Sequence, residues 1–178
     1  MTAARQTIRP IALAALLLGF GVSSQAHAAG EVAGGSASGL PVPRYVSLKS
    51  DRVNVRSGPT KDHDVAWVFT RSGLPVEITA EFENWRRIRD SEGSEGWVYH
   101  SLLSGRRTAV VTARDKEQLI PVSDSPKPES EVTAQLQAGV VTQVKRCDGK
   151  WCRVNGSRFE GWVLQERLWG VYPNEKVD

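Results

Sequence analysis

Two cysteines are the first residues here with types and spacing able to do chemistry. They stand at Cys147 and Cys152, in the segment Cys-Asp-Gly-Lys-Trp-Cys. The Asp-Gly step between them is a hairpin signal, because both turn residues tolerate positive φ. The two thiols then face each other across antiparallel strands, and an even count favours a disulfide where the compartment is oxidising. Closing so short a loop is worth roughly 2 kcal/mol in the chain-entropy picture. Pairing Val144 with Val154 on a core face leaves the cysteines one residue out of step, and a bulge near Arg146 would bring them level. A structural zinc site wants four ligands, and His63 and His100 lie in the other half of the chain, so no metal is expected. A catalytic thiol wants a lone cysteine beside a histidine, and a redox pair more typically has two intervening residues than four.

Other reactive types read as surface. His63 sits in the polar run Lys61-Asp62-His63-Asp64, and His100 follows Trp97-Val98-Tyr99. Asp90, Glu92 and Glu95 fall in a Gly/Ser loop, where solvated carboxylates are expected in place of an acid/base pair. No phosphate loop, His-Glu-x-x-His or Gly-x-Ser-x-Gly segment occurs, so no catalytic residue and no cofactor is assigned. The aromatic residues are the binding candidates. Trp85 and Trp151 open strands on the face opposite Ile88 and Val154, and Arg87 and Arg89 share the face of Trp85. Trp85 and Arg87, with Trp67 or Tyr99, would build an aromatic–basic groove for an extended peptide or an acidic glycopeptide. The same rings could instead cover a small core or form a contact between two domains. Trp97 and Trp162, in matching Gly-Trp-Val blocks, are expected in the core.

These residues recur in a pattern. Arg52–Pro59 aligns with Leu119–Pro126 at an offset of 67. Ser72–Ile78 aligns with Ala138–Val144 at 66, Trp85–Ile88 with Trp151–Val154 at 66, and Glu95–Val98 with Glu160–Val163 at 65. Four ordered blocks whose offset drifts only at loops indicate a duplicated unit of about 60 residues. Period-two alternation at Val53 and Val55 and at Val76 and Ile78, with turn signals every 8–12 residues, makes each unit all-β. Short strands in so small a unit imply a strongly bent barrel. The junction Ser104–Arg107 is short, so the units should pack together or share a strand.

The run Val-Asn-Val-Arg-Ser-Gly-Pro, then Gly-Leu-Pro-Val, Trp-Arg-Arg-Ile and Gly-Trp-Val-Tyr, resembles a bacterial SH3-like (SH3b) domain of an exported, mostly alphaproteobacterial type. The second copy is similar more loosely, with Pro121 in place of the Asn and Ser123-Asp124-Ser125 in place of Arg-Ser-Gly. The resemblance spans residues 45 to about 172 and implies two tandem SH3-like barrels. Relatives of this kind commonly act as targeting or cell-wall-binding modules, often beside peptidoglycan hydrolases. Fold alone does not set function.

Charge and composition fix the setting. Of 178 residues, 23 are Lys or Arg and 20 Asp or Glu, a net charge of +3. Residues 1–28 hold Arg5 and Arg9 and no acid. Ile11–Val22 is a 12-residue apolar run, shorter than a membrane span, followed by a small-residue region with cleavage expected between Ala28 and Ala29. The mature chain is expected to be periplasmic or secreted, without stable membrane insertion. Residues 45–105 carry 8 basic and 9 acidic groups, and residues 106–178 carry 12 and 10, so no nucleic-acid partner is expected. The expected order is a signal peptide (1–28), a flexible leader (29–44), domain one (45–105), domain two (106–172) and a tail (173–178). The expected function is a non-enzymatic binding or scaffold role toward peptidoglycan or an envelope protein peptide. A hydrolase accessory, a cryptic hydrolase using Asp90 or Glu95, and a purely structural subunit are the alternatives.

Overall fold

The computed structural model describes residues 36–115 and 117–178. The expected signal segment, its cleavage point and the start of the leader lie outside the described residues. Copy one contains β1 (Arg44–Leu48), β2 (Val53–Arg56), β3 (Val65–Phe69), β4 (Pro75–Phe82), β5 (Trp85–Arg89), β6 (Glu95–Tyr99), a 3-10 turn (His100–Leu102) and β7 (Leu103–Ser104). Copy two repeats this order with β8 (Thr108–Val111), β9 (Ile120–Ser123), β10 (Val132–Leu136), β11 (Val141–Asp148), β12 (Trp151–Asn155), β13 (Glu160–Leu164), a 3-10 turn (Gln165–Arg167) and β14 (Leu168–Trp169). Strand order is β3-β2-β6-β5-β4-β1-β7 in the first sheet and β10-β9-β13-β12-β11-β8-β14 in the second, so the duplication read from the sequence is a duplication of topology.

Each copy closes its own small core from alternate strand residues. Val53, Val55, Val76, Ile78, Ile88 and Val98 fill the first, and Ile120, Val122, Val144, Val154 and Val163 fill the second. In the Gly-Trp-Val blocks it is Gly and Val that face inward. A Cβ on Gly96 would lie 2.4 Å from Val55 Cγ1, and one on Gly161 would lie 2.6 Å from the Ser123 carbonyl oxygen. The glycine is required where β6 crosses β2, and β13 crosses β9, at close range. Strand alternation then turns Trp97 and Trp162 outward, half-buried, which corrects their expected place in the core.

The bulge expected near Arg146 is present. Val144 pairs with Val154, the register shifts, and Cys147 then pairs with Cys152 as a disulfide. Copy one carries the same irregularity between Ile78 and Ala80. It positions Glu81 opposite Arg86, where copy two has its cysteines.

The leader and tail are more tied down than their composition suggests. Ser36 Oγ, Ser38 Oγ and the Ser38 amide all donate to the Glu81 carboxylate, at 2.6, 2.8 and 2.8 Å. The tail forms β15 (Lys176–Val177), which pairs with β11 at Cys147 and Asp148. A Gly/Ser-rich segment cannot make a core, but a buried carboxylate in need of donors can still fix it.

The two copies meet through Tyr45, Trp169 and Tyr172. The Tyr45 ring lies 5.2 Å from Trp169, edge-on, and 4.7 Å from Tyr172. Tyr172 donates from its hydroxyl to Glu77 of copy one at 2.9 Å. None of the four candidate groove residues takes part in these contacts.

Candidate functional site

The outer face of β5 and β6 carries three of the sequence candidates. Trp85 pairs with Tyr99, and the two rings meet edge to face at 5.4 Å. Arg87 follows on the same face, opposite Trp97, and is ion-paired with Glu95. Trp85 is only 9% exposed, so Tyr99 covers it and it offers little open platform. Copy two repeats the Arg–Trp–Glu part of the arrangement, with Arg153 opposite Trp162 and paired with Glu160 at 2.8 Å, but Trp151 faces Leu164 where copy one has Tyr99. The repeated Trp-x-Arg and Glu-Gly-Trp triplets were the sequence signal for this second face.

Trp67 is elsewhere. It pairs with Val55, whose side chain is in the core, and paired residues of antiparallel strands share a face. Trp67 therefore packs half-buried against the core of copy one, with Phe69 edge-on at 6.1 Å. A single groove uniting Trp67 with Trp85, Arg87 and Tyr99 is not formed, because β3 and β5 present these rings to opposite sides of the sheet.

Trp67 lies instead at a separate cleft of about 480 Å³. Trp67, Phe69, Leu74 and Pro75 line one part of it, and the loop residues Asp90, Ser91, Glu92 and Ser94 line the rest. The loop is rigidly built. Asp90 Oδ1 accepts the amides of Glu92 and Ser94 at 3.0 and 2.9 Å, and the Asp90 amide donates to the Ser94 carbonyl at 3.0 Å. An apolar aromatic surface facing a wall of hydroxyls and carboxylates suits an elongated polar ligand with apolar faces.

Copy two differs at this place. Ala134 stands where copy one has Trp67, and Phe159 where copy one has Ser94. Phe159 packs against the second core and folds over Gly156, whose added Cβ would meet its ring at 2.5 Å. The aromatic group has moved from the strand wall to the loop wall. A larger cavity of about 690 Å³ does occur in copy two, among Leu164, Leu168, Val171 and Pro173. It has no aromatic lining, so volume alone does not select it.

The candidate acids Asp90 and Glu95 and the two histidines His63 and His100 are already engaged. Asp90 holds its own turn and Glu95 is paired with Arg87, so the two carboxylates do not make an acid/base set. The His63 ring sits over Gly58 and its Nδ1 lies 2.8 Å from Thr60 Oγ1. The His100 ring packs on Tyr99 at 5.0 Å. Among the described residues no three His, Cys, Asp or Glu side chains cluster as a metal site.

The electrostatically perturbed groups serve the scaffold. Burial alone would raise the pKa of Glu81; hydrogen bonds from Ser36, Arg44 and Ser38 outweigh it and bring the pKa down to about 2. Arg86 adds an ion pair at 3.1 Å. Between the copies, burial and the neighbouring Glu77 push Tyr45 up to about 12, and burial with the hydrogen bond to Glu77 pushes Tyr172 higher still. Sequence reading missed Tyr45, Trp169 and Tyr172, which lie outside the aligned blocks, and Glu77, which lies inside one but reads there as an ordinary strand acid.

Residues 49–105 and 116–170 each match the family model of the bacterial SH3 domain. No curated protein matches the chain. Among solved structures, the chain is similar to NlpC2 from Trichomonas vaginalis at 14% identity, with a TM-score of 0.30, covering 73% of this chain and 49% of that one. NlpC1 from Trichomonas vaginalis matches at 16% identity and a TM-score of 0.30, covering 75% and 48%. The chain thus spans about half the length of these two proteins. Endolysin LysPBC5 CBD is similar at 17% identity and a TM-score of 0.29, covering 70% of this chain and 90% of that one.

Proposed function

Because the chain belongs to the bacterial SH3 domain family, with two tandem copies, we propose that it is an exported, non-enzymatic binding protein of the cell envelope. Copy one is the binding copy and copy two the supporting one. The ligand is peptidoglycan, held at the cleft lined by Trp67 and Phe69. One observation carries this reading: copy one keeps a cleft between an aromatic surface and the Asp90–Ser94 loop, whereas in copy two Phe159 folds against the core from the corresponding loop. Export is supported by the charge and apolar pattern of residues 1–28 and by the Cys147–Cys152 disulfide. A hydrolase built on Asp90 or Glu95 is disfavoured, since each carboxylate already has a structural partner.

Co-sedimentation of the protein with purified sacculi tests the reading. Wild type should pellet with the wall, and Trp67→Ala should weaken this while Trp85→Ala, if still folded, should not. Retention of full binding by Trp67→Ala would remove the cleft from the account. No binding by wild type would replace peptidoglycan with an envelope protein peptide as the ligand to test.

A further inference from the structure

One end of each sheet carries a second duplicated feature. β3 ends the first sheet and β10 ends the second, and each has a strand neighbour on one side only. Alternate backbone N–H and C=O groups of such a strand point away from the sheet, unpaired. Natural edges are blunted by short length, by a charged residue or a proline within the strand, or by a β-bulge. Here Val-Ala-Trp-Val-Phe and Val-Thr-Ala-Gln-Leu contain no charge and no proline, and a single register shift after Val65 and Val132 leaves the rest of each edge regular. The first residue of each, Val65 and Val132, is 42% and 48% exposed and occupies the same place in the duplicated fold.

The residues just before these strands are also matched. Asp62 and Asp64 precede Val65, and Glu129 and Glu131 precede Val132. All four are exposed, and among the described residues none forms an ion pair. The backbone holds both sites alike: the Asp64 carbonyl accepts from Ser57 at 3.1 Å and the Glu131 carbonyl from Asp124 at 2.9 Å. Sequence identity between the copies is low at this point, yet the order acid, any residue, acid, exposed valine is kept.

We propose that β3 and β10 are docking edges for an extended, basic segment of a protein partner. The segment adds as a further strand to each sheet, through main-chain hydrogen bonds. Its apolar residues cover Val65 or Val132, and its Lys or Arg residues meet the paired carboxylates. The occupant is cationic because each edge is uncharged along its length, two acids without ion-pair partners against one lysine (Lys61 or Lys127) precede it, and Arg56 opposite Val65 is engaged with the His63 carbonyl at 2.6 Å. The edge shares β3 with the cleft but uses its main-chain groups and four acids outside the cleft lining, so Trp67→Ala reads the cleft, the charge-reversed variant reads the edge, and either assignment can fail alone.

Hydrogen exchange of the intact protein tests the proposal, with a synthetic hexapeptide of alternating Lys and Val as the probe. Outward-facing amides in residues 65–69 and 132–136 should exchange more slowly when the peptide is added. An alternating Ser and Val peptide should protect them less. The variant Asp62→Lys, Asp64→Lys, Glu129→Lys, Glu131→Lys changes only exposed side chains, and it should bind the Lys-Val peptide about tenfold more weakly. Unchanged exchange in both strands, or equal affinity in the charge-reversed variant, would overturn the proposal. So would concentration-dependent self-association that protects the same amides without peptide, because the occupant would then be a second copy of the chain.

Discussion

Replacing Glu81 by Gln should expose how strongly copy one depends on a buried charge. The Glu81 side chain is 1% exposed and its carboxylate is held by Arg86 at 3.1 Å and by Arg44 and two serines at shorter distances. Its pKa of about 2, against 4.5 for a free glutamate, corresponds to about 3 kcal/mol of folding stability. Because the folded value is the lower one, this stabilisation is complete above 4.5 and is lost as pH falls toward 2. Urea unfolding of wild type and Glu81→Gln should differ by about 3 kcal/mol at pH 7 and by less than half of that near pH 3. Glu175 and Asp148 are also held below the usual carboxylate range, but they titrate alike in both proteins and cancel in the difference. The variant should also lose protection of residues 36–43 in hydrogen exchange. A gap that stays constant between pH 7 and pH 3, or stays below about 1 kcal/mol at pH 7, would refute the reasoning.

Reducing the Cys147–Cys152 disulfide should lower stability by about 2 kcal/mol, read from urea unfolding with and without reductant, since the closed loop is short. Gly96→Ala places a methyl group 2.4 Å from Val55 Cγ1 and should cost about 2 kcal/mol or more in the same assay. Tyr172→Phe removes the hydroxyl donated to Glu77 and should cost about 1 kcal/mol. Both interface phenols ionise late, so the stability they confer is complete below pH 10 and declines above it; an absorbance titration should find Tyr45 ionising near 12.

The fold was legible wherever local chemistry and the repeat agreed. Four aligned blocks, alternation at Val53, Val55, Val76 and Ile78, and the out-of-step cysteines together anticipated two all-β units and the bulge in β11. The Gly-Trp-Val blocks misled because tryptophan is the most apolar-looking residue of the three. The inward position went to glycine, since a crossing strand leaves no room for a Cβ. The candidate groove divided because Trp67 and Trp85 come from strands whose mutual facing depends on which residue each partner presents, and that is set by sheet register over long range. The tethered leader was hidden for another reason. Its anchor, Glu81, looks in sequence like any surface acid, and only the bulge in β4 and the docking of Ser36 and Ser38 bury it.

Binding of sacculi by wild type and Trp67→Ala, with far-UV circular dichroism to confirm that both are folded, tests the central claim most directly. The account predicts that wild type co-sediments and that Trp67→Ala stays largely in the supernatant. Equal pelleting of the two folded proteins would contradict it.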